Sequence, residues 1–133
     1  MSAREFWLGR TDPAPLALYR AGFGALVALE CLTRLPHATE LYSNEGFHQG
    51  ALAHSAPPPA VATAAVALCA LASIALALGY RTRLAAVTAL ALWSWLYGID
   101  QLNERALHSL ILVALAVLVF SGAGDALSLD ARR

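Results

Sequence analysis

Glu30 and Arg34 stand four residues apart, and Asp100, Gln101, Glu104, Arg105 and His108 fall within a second short run. At that spacing, with the acid on the N-terminal side, Glu30 and Arg34 share one helix face and can pair. Glu104 and His108 have the same spacing if a helix begins by Arg105. Carboxylates, a guanidinium and an imidazole together can move a proton or hold the polar part of a ligand. The alternative is a solvated loop with helix caps, and it is the better reading for Asp100 and Asn103. For Glu30 and His108, which lie inside the limits of apolar blocks, a binding site and a purely structural pairing both stay open.

Other chemistries find less support. All nine basic residues are arginine, so no lysine is present to form a Schiff base or act as an amine base. Cys31 and Cys69 lie in different apolar blocks, at depths expected to differ by several Å. Without a C-x-x-C spacing they read as small apolar fillers rather than a dithiol centre. His37, His48 and His54 share one loop but not the spacing of a defined metal site, so no metal is expected. No phosphate-binding glycine loop or serine-nucleophile motif occurs. Formal net charge is zero, which leaves no electrostatic case for nucleic acid.

The elements that must position these groups are apolar. Of 133 residues 59% are hydrophobic and 14% charged, too few charges to cover a soluble domain of this size. Four blocks stand out, at about 16–35, 60–80, 84–99 and 106–123, within a single domain expected to span 1–133. Each is near the roughly 20 residues that cross about 30 Å of hydrocarbon, the third being short. Pro13 and Pro15 precede the first block, Pro36 follows it, and Pro57, Pro58 and Pro59 open the second. Proline costs little at a first helical turn, where its missing N–H has no partner. The expected fold is an all-α membrane protein, a four-transmembrane-helix bundle with a short outer interfacial segment between helices 1 and 2.

Arg4, Arg10, Arg81, Arg83, Arg132 and Arg133 flank the termini and the middle loop, whereas the other two loops carry only Arg34 and Arg105. The positive-inside tendency then puts both termini in the cytoplasm and residues 35–59 and 99–105 outside. Trp93, Trp95 and Tyr97 are expected in an outer aromatic belt, and Arg20 is expected to snorkel from the inner end of the first helix. Arg20 also interrupts the first block, so a cleaved signal peptide is not expected. Leu41, Tyr42, Phe47, Leu52 and Ala53 make the 37–55 segment apolar enough to lie against the membrane face. Ala65, Cys69, Ser73 and Ala77 recur every four positions, and Gly22 and Gly24 thin the first helix. Such faces allow close helix approach in lipid.

The run "YRAGFGALVALECLTRLPHATELYSNEGF" (19–47) resembles the first helix and loop of the horizontally transferred transmembrane (HTTM) family. Those proteins are bacterial relatives of the vitamin K-dependent gamma-carboxylase membrane domain. Arg20, Gly24, Glu30, Arg34, Tyr42, Ser43 and Gly46 follow the family's pattern there, with Asn44 and Glu45 where the acid and its neighbour fall. "LGYRTRLAA" (78–86) is similar to the family's basic turn, "IDQLNERALHSL" (99–110) to its Asp-Lys…Asn-His-Ser stretch, and "SLD" (128–130) to a later helix exit. The resemblance covers most of the chain in the right order. In the carboxylases the lysine of the Asp-Lys pair is associated with deprotonating the reduced quinone; here Gln101 stands at that position, and an amide cannot act as that base. Asp100 and His108 match when a one-residue insertion is allowed. Carboxylation is therefore not expected, nor is an outer soluble domain that would take a peptide.

What the resemblance retains is the scaffold, with a lipid or quinone pocket, in a chain of the size of small DoxX- and MauE-like proteins. The expected function is that of an accessory or structural subunit of the bacterial inner membrane. Its partners would be membrane lipids and another membrane subunit or a second copy. Its outer polar pocket of Glu30, Arg34, Asp100, Gln101, Glu104, Arg105 and His108 would take the polar part of a lipid or quinone. The competing expectation is a small carboxylase-like or redox membrane enzyme that uses the same acids and His108.

Overall fold

A computed structural model describes residue 12 and residues 14–100 and 106–121. Four long helices carry it: α1 (Ala14–Arg34), α3 (Pro59–Leu78), α4 (Thr82–Ile99) and α5 (Ala106–Phe120), with the short α2 (Ala38–Tyr42) between the first two. No strand occurs among the described residues.

Local chemistry sets the helix ends. The Asp12 carboxylate accepts a 3.0 Å hydrogen bond from the Ala14 N–H, capping α1 where the helix dipole favours an anion. At the far end Pro36 has no N–H to continue the ladder, and the chain tightens into a 3-10 turn over Leu35–His37 before α2. Pro59 occupies the first turn of α3. Gly79 closes α3 at φ 71°, with Gly79 N–H bonding Leu76 O at 3.1 Å and Tyr80 N–H bonding Ala75 O at 2.9 Å. That pair of bonds is a Schellman cap, and it needs the left-handed backbone that glycine adopts without steric cost.

The long helices pack in order, α1 on α3, α3 on α4, and α4 on α5, while α2 rests on α3. Small side chains make up much of the interior between α1, α3 and α4. Ala62, Ala65, Cys69, Ala72, Ser73, Ala86 and Ala89 are buried, whereas Leu18, Leu29, Leu68, Leu71, Leu110 and Val113 point outward. Leu76, Leu96, Ile111 and Leu115 are buried as well, but so many large apolar side chains outside is an arrangement that a soluble fold avoids. In lipid it is the stable one, because association there depends on close packing more than on the hydrophobic effect. Gly24 shows how close: a Cβ there would sit 2.7 Å from Ala77 N and 3.0 Å from Ser73 O. Ser73 and Ala77 of the four-residue stripe thus face α1 at Gly24. Gly22, by contrast, would meet nothing within 4 Å.

Two segments are long and apolar enough to cross a membrane, Ala14–Tyr42 and Pro59–Leu78. The Leu107–Phe120 stretch is apolar but shorter. The 15 residues of α5 extend about 22 Å at the helical rise, less than the roughly 30 Å of a hydrocarbon core. Helical blocks therefore appear where apolar runs predict them, and length and apolarity sufficient for crossing are met together in Ala14–Tyr42 and Pro59–Leu78.

Two sequence expectations change. Arg20 does not snorkel: it is fully buried, on the same inward face of α1 as Ala17, Gly24, Val27 and Cys31. Its phase on the helix points it at the neighbouring helices rather than outward. Cys31 and Cys69 are not at different depths either; their buried thiols lie within hydrogen-bonding reach of one another across the α1–α3 contact.

The segment between α2 and α3 is docked on helix ends. Asn44 N–H bonds Pro57 O at 2.8 Å, and Leu52 N–H bonds Gly98 O at 2.8 Å. Gly50 makes the second contact feasible, since a Cβ there would fall 2.3 Å from Gly98 O. The side chain of Phe47 remains 80% exposed at the tip.

Candidate functional site

Arg34, at the last turn of α1, is the centre of a polar cluster. Its Nε and Nη2 both donate to Glu30 Oε1, at 3.0 and 2.8 Å, one helical turn back. Its Nη1 donates to the Tyr42 hydroxyl at 2.6 Å. Pro36 and the 3-10 turn fold the chain over the end of α1, which returns Tyr42 to the arginine eight residues earlier. Nη2 also meets His108 Nε2 at 2.5 Å, from the first turn of α5. Guanidinium nitrogens only donate, so Nε2 is the accepting nitrogen and the ring hydrogen sits on Nδ1. His108 Nε2 is 3.6 Å from Glu30 Oε1, too far for a hydrogen bond.

α4 supplies the aromatic wall. Trp93 places its ring 5.7 Å from Arg34 Cζ, within cation–π range, and meets the His108 ring edge-on with centroids 5.7 Å apart. Trp93, Leu96, Tyr97 and Asp100 follow one another at helical spacing along one face of α4. With Arg34, Tyr42 and His108 they line a small cavity of about 10 Å³.

The hydrogen-bond ledger of this cavity is incomplete. Every guanidinium hydrogen of Arg34 has a partner except one on Nη1. Tyr42 accepts from Arg34, and its own O–H has no acceptor among the described residues. Trp93 is buried, and its indole N–H likewise has none. Buried donors are nearly always matched, so donors left open along one cavity mark a place for an acceptor.

Of the residues singled out by sequence, Glu30, Arg34 and His108 are thus brought into contact, and Asp100 lies on the wall of the same cavity. Gln101, Glu104 and Arg105 lie outside the described residues. Tyr42 and Trp93 join the site from outside the residues that the sequence points to. Trp93 belongs to the interior and not to a lipid-facing belt; its i, i+3, i+4, i+7 relation to Leu96, Tyr97 and Asp100 was the available signal.

The loop histidines take other roles. His48 Nε2 bonds the Ser43 carbonyl oxygen, and His37 is exposed, 3.9 Å from Glu40. Among the described residues no three His, Cys, Asp or Glu side chains gather as a metal site.

Apolar exteriors, small-residue helix contacts and an arginine-centred cavity at one end define a helical membrane-associated protein. The chain belongs to the HTTM family: the HTTM domain matches residues 9–133. No curated protein and no solved structure gives a significant match.

Proposed function

We propose that this HTTM protein is an accessory or structural subunit of the bacterial inner membrane whose Arg34 cavity holds the polar end of a lipid or quinone. The observation that carries this reading is the fixed guanidinium of Arg34 on the wall of a cavity with unmatched donors. At about 10 Å³ the cavity has room for about one water-sized group, far less than pockets that enclose a whole small molecule. It suits one end of a ligand whose apolar remainder stays in the bilayer. The enzyme reading gains less support, because His108 Nε2 is already engaged by Arg34 and is not available as a base.

In this reading both termini face the cytoplasm and the cavity opens outward, as the arginine distribution argues. Cysteine labelling tests the orientation. Ser43 is buried and unsuited to a probe, whereas Glu45 and Arg83 are exposed. In a background with Cys31 and Cys69 replaced by alanine, Glu45→Cys should react in intact cells and Arg83→Cys only after permeabilisation. The opposite pattern rejects the topology.

Mass spectrometry of the protein from mild detergent tests the site. A binding role expects a lipid or quinone adduct that Glu30→Gln strips while the variant stays folded. Loss of stability with the adduct unchanged, or no adduct at all, rejects it.

A further inference from the structure

We infer that His108 is a proton-binding site in the joint between α1 and α5, where taking up a proton exchanges the partner of Nε2 from Arg34 to Glu30. Three polar atoms form a close triangle there. Arg34 Nη2 is 2.5 Å from His108 Nε2 and 2.8 Å from Glu30 Oε1, and the third side, His108 Nε2 to Glu30 Oε1, is 3.6 Å. While Nε2 accepts from Arg34, its lone pair is in use. A proton on Nε2 turns it into a donor, and two donors cannot face each other at 2.5 Å. Holding Arg34 and holding a proton therefore exclude one another. Glu30 Oε1 is the acceptor at hand for the new N–H. An approach of about 0.8 Å would close the 3.6 Å gap to a charge-assisted bond of about 2.8 Å. Arg34 keeps Glu30 through Nε and Tyr42 through Nη1, so the exchange costs it only the contact with the imidazole.

The surroundings suit a charged ring. Around His108 stand Glu30 and Arg34 from α1, Tyr42 from α2, and Trp93, Tyr97 and Asp100 from α4. Cys31, one turn before Arg34, turns instead to Cys69 on α3. Two acids thus stand against one guanidinium. One proton on His108 leaves this described cluster without net charge, which is cheaper to bury than an unbalanced one. The Glu30 side chain is 23% exposed and that of His108 only 5%, so water reaches the triangle from the Glu30 side. The Arg34 tie between α1 and α5 is present while His108 is neutral and is lost as pH falls through its titration.

Histidine-ring ¹⁵N NMR of the full chain in phosphatidylcholine nanodiscs tests this between about pH 8 and 5, the span in which imidazoles change charge. His108→Gln assigns the His108 signals by their loss. At the upper end Nε2 should read as a bare acceptor and Nδ1 as N–H. At the lower end both should read as N–H, with the ¹⁵N signals of the Arg34 side chain moving at the same midpoint. An Nε2 that stays bare throughout, or carries its proton throughout, overturns the site. Protonation without a response from Arg34 overturns the exchange. Glu30→Gln removes the carboxylate that receives the new N–H and should weaken proton binding about tenfold, one pH unit at the midpoint. An unmoved midpoint rejects Glu30 as the new partner. Amide exchange in the middle of α3 separates a local exchange from unfolding: its protection should be equal at both ends of the range. Collapse of that protection at the His108 midpoint means that the whole fold titrates, and overturns the inference.

Discussion

Arg34 Nη2 and His108 Nε2 lie 2.5 Å apart although 74 positions separate them in the chain. This contact joins the end of the first long helix to the start of the last. The same guanidinium holds Glu30 within its own helix and Tyr42 beyond it, so one side chain ties three elements together.

Removing that side chain should therefore be costly. Arg34→Gln leaves Glu30 without its cation and frees Tyr42 and His108 at once. A loss of about 3 kcal/mol is expected, the scale for breaking one side of a desolvated ion pair. Glu30→Gln combined with Arg34→Gln should recover part of it, because the second change removes the stranded charge. Reversible unfolding in mixed micelles measures this cycle; strictly additive losses would show that the pair is not coupled.

The two glycines of α1 should behave oppositely. Gly24→Val places atoms against the α3 backbone, where even a Cβ would be 2.7 Å from Ala77 N, and should cost about 2 kcal/mol or more. Gly22→Ala meets nothing within 4 Å and should gain about 0.5–1 kcal/mol from lower backbone entropy in the unfolded chain. Thermal melts of both variants decide whether α1 and α3 are in contact at Gly24.

Cys31 and Cys69 are buried against each other in the α1–α3 contact. A water-soluble maleimide should label neither thiol in the folded protein and both after unfolding in strong detergent, as counted by intact mass. Rapid labelling of either one without denaturant would show that this contact opens.

Gly50→Ala should undock the segment before α3. The added methyl would fall 2.3 Å from Gly98 O, the atom that accepts from Leu52 N–H. Hydrogen exchange at Leu52 should accelerate, while amides in the middle of α3 keep their protection. Unchanged exchange at Leu52 would mean that another contact holds the segment.

Much of this protein is a property of its sequence. Apolar runs bounded by proline and glycine leave the backbone no better option than helix, since only a helix satisfies its own N–H and C=O groups away from water. Four-residue spacing allowed Glu30 and Arg34 to pair before any neighbour was known, and the ordered motifs carried the resemblance to the family. Rotation about each helix axis was not legible. Alanine, leucine and valine surround α3 and α5 nearly evenly, so there periodicity does not say which face turns inward. Packing decides that, through the few places where backbones can approach, such as Gly24 against Ala77. That rotation buried Arg20, set Cys31 beside Cys69 and turned Trp93 from the lipid to the cavity. It also brought Tyr42 and His108 to Arg34, contacts between elements distant in the chain that only the tertiary structure creates.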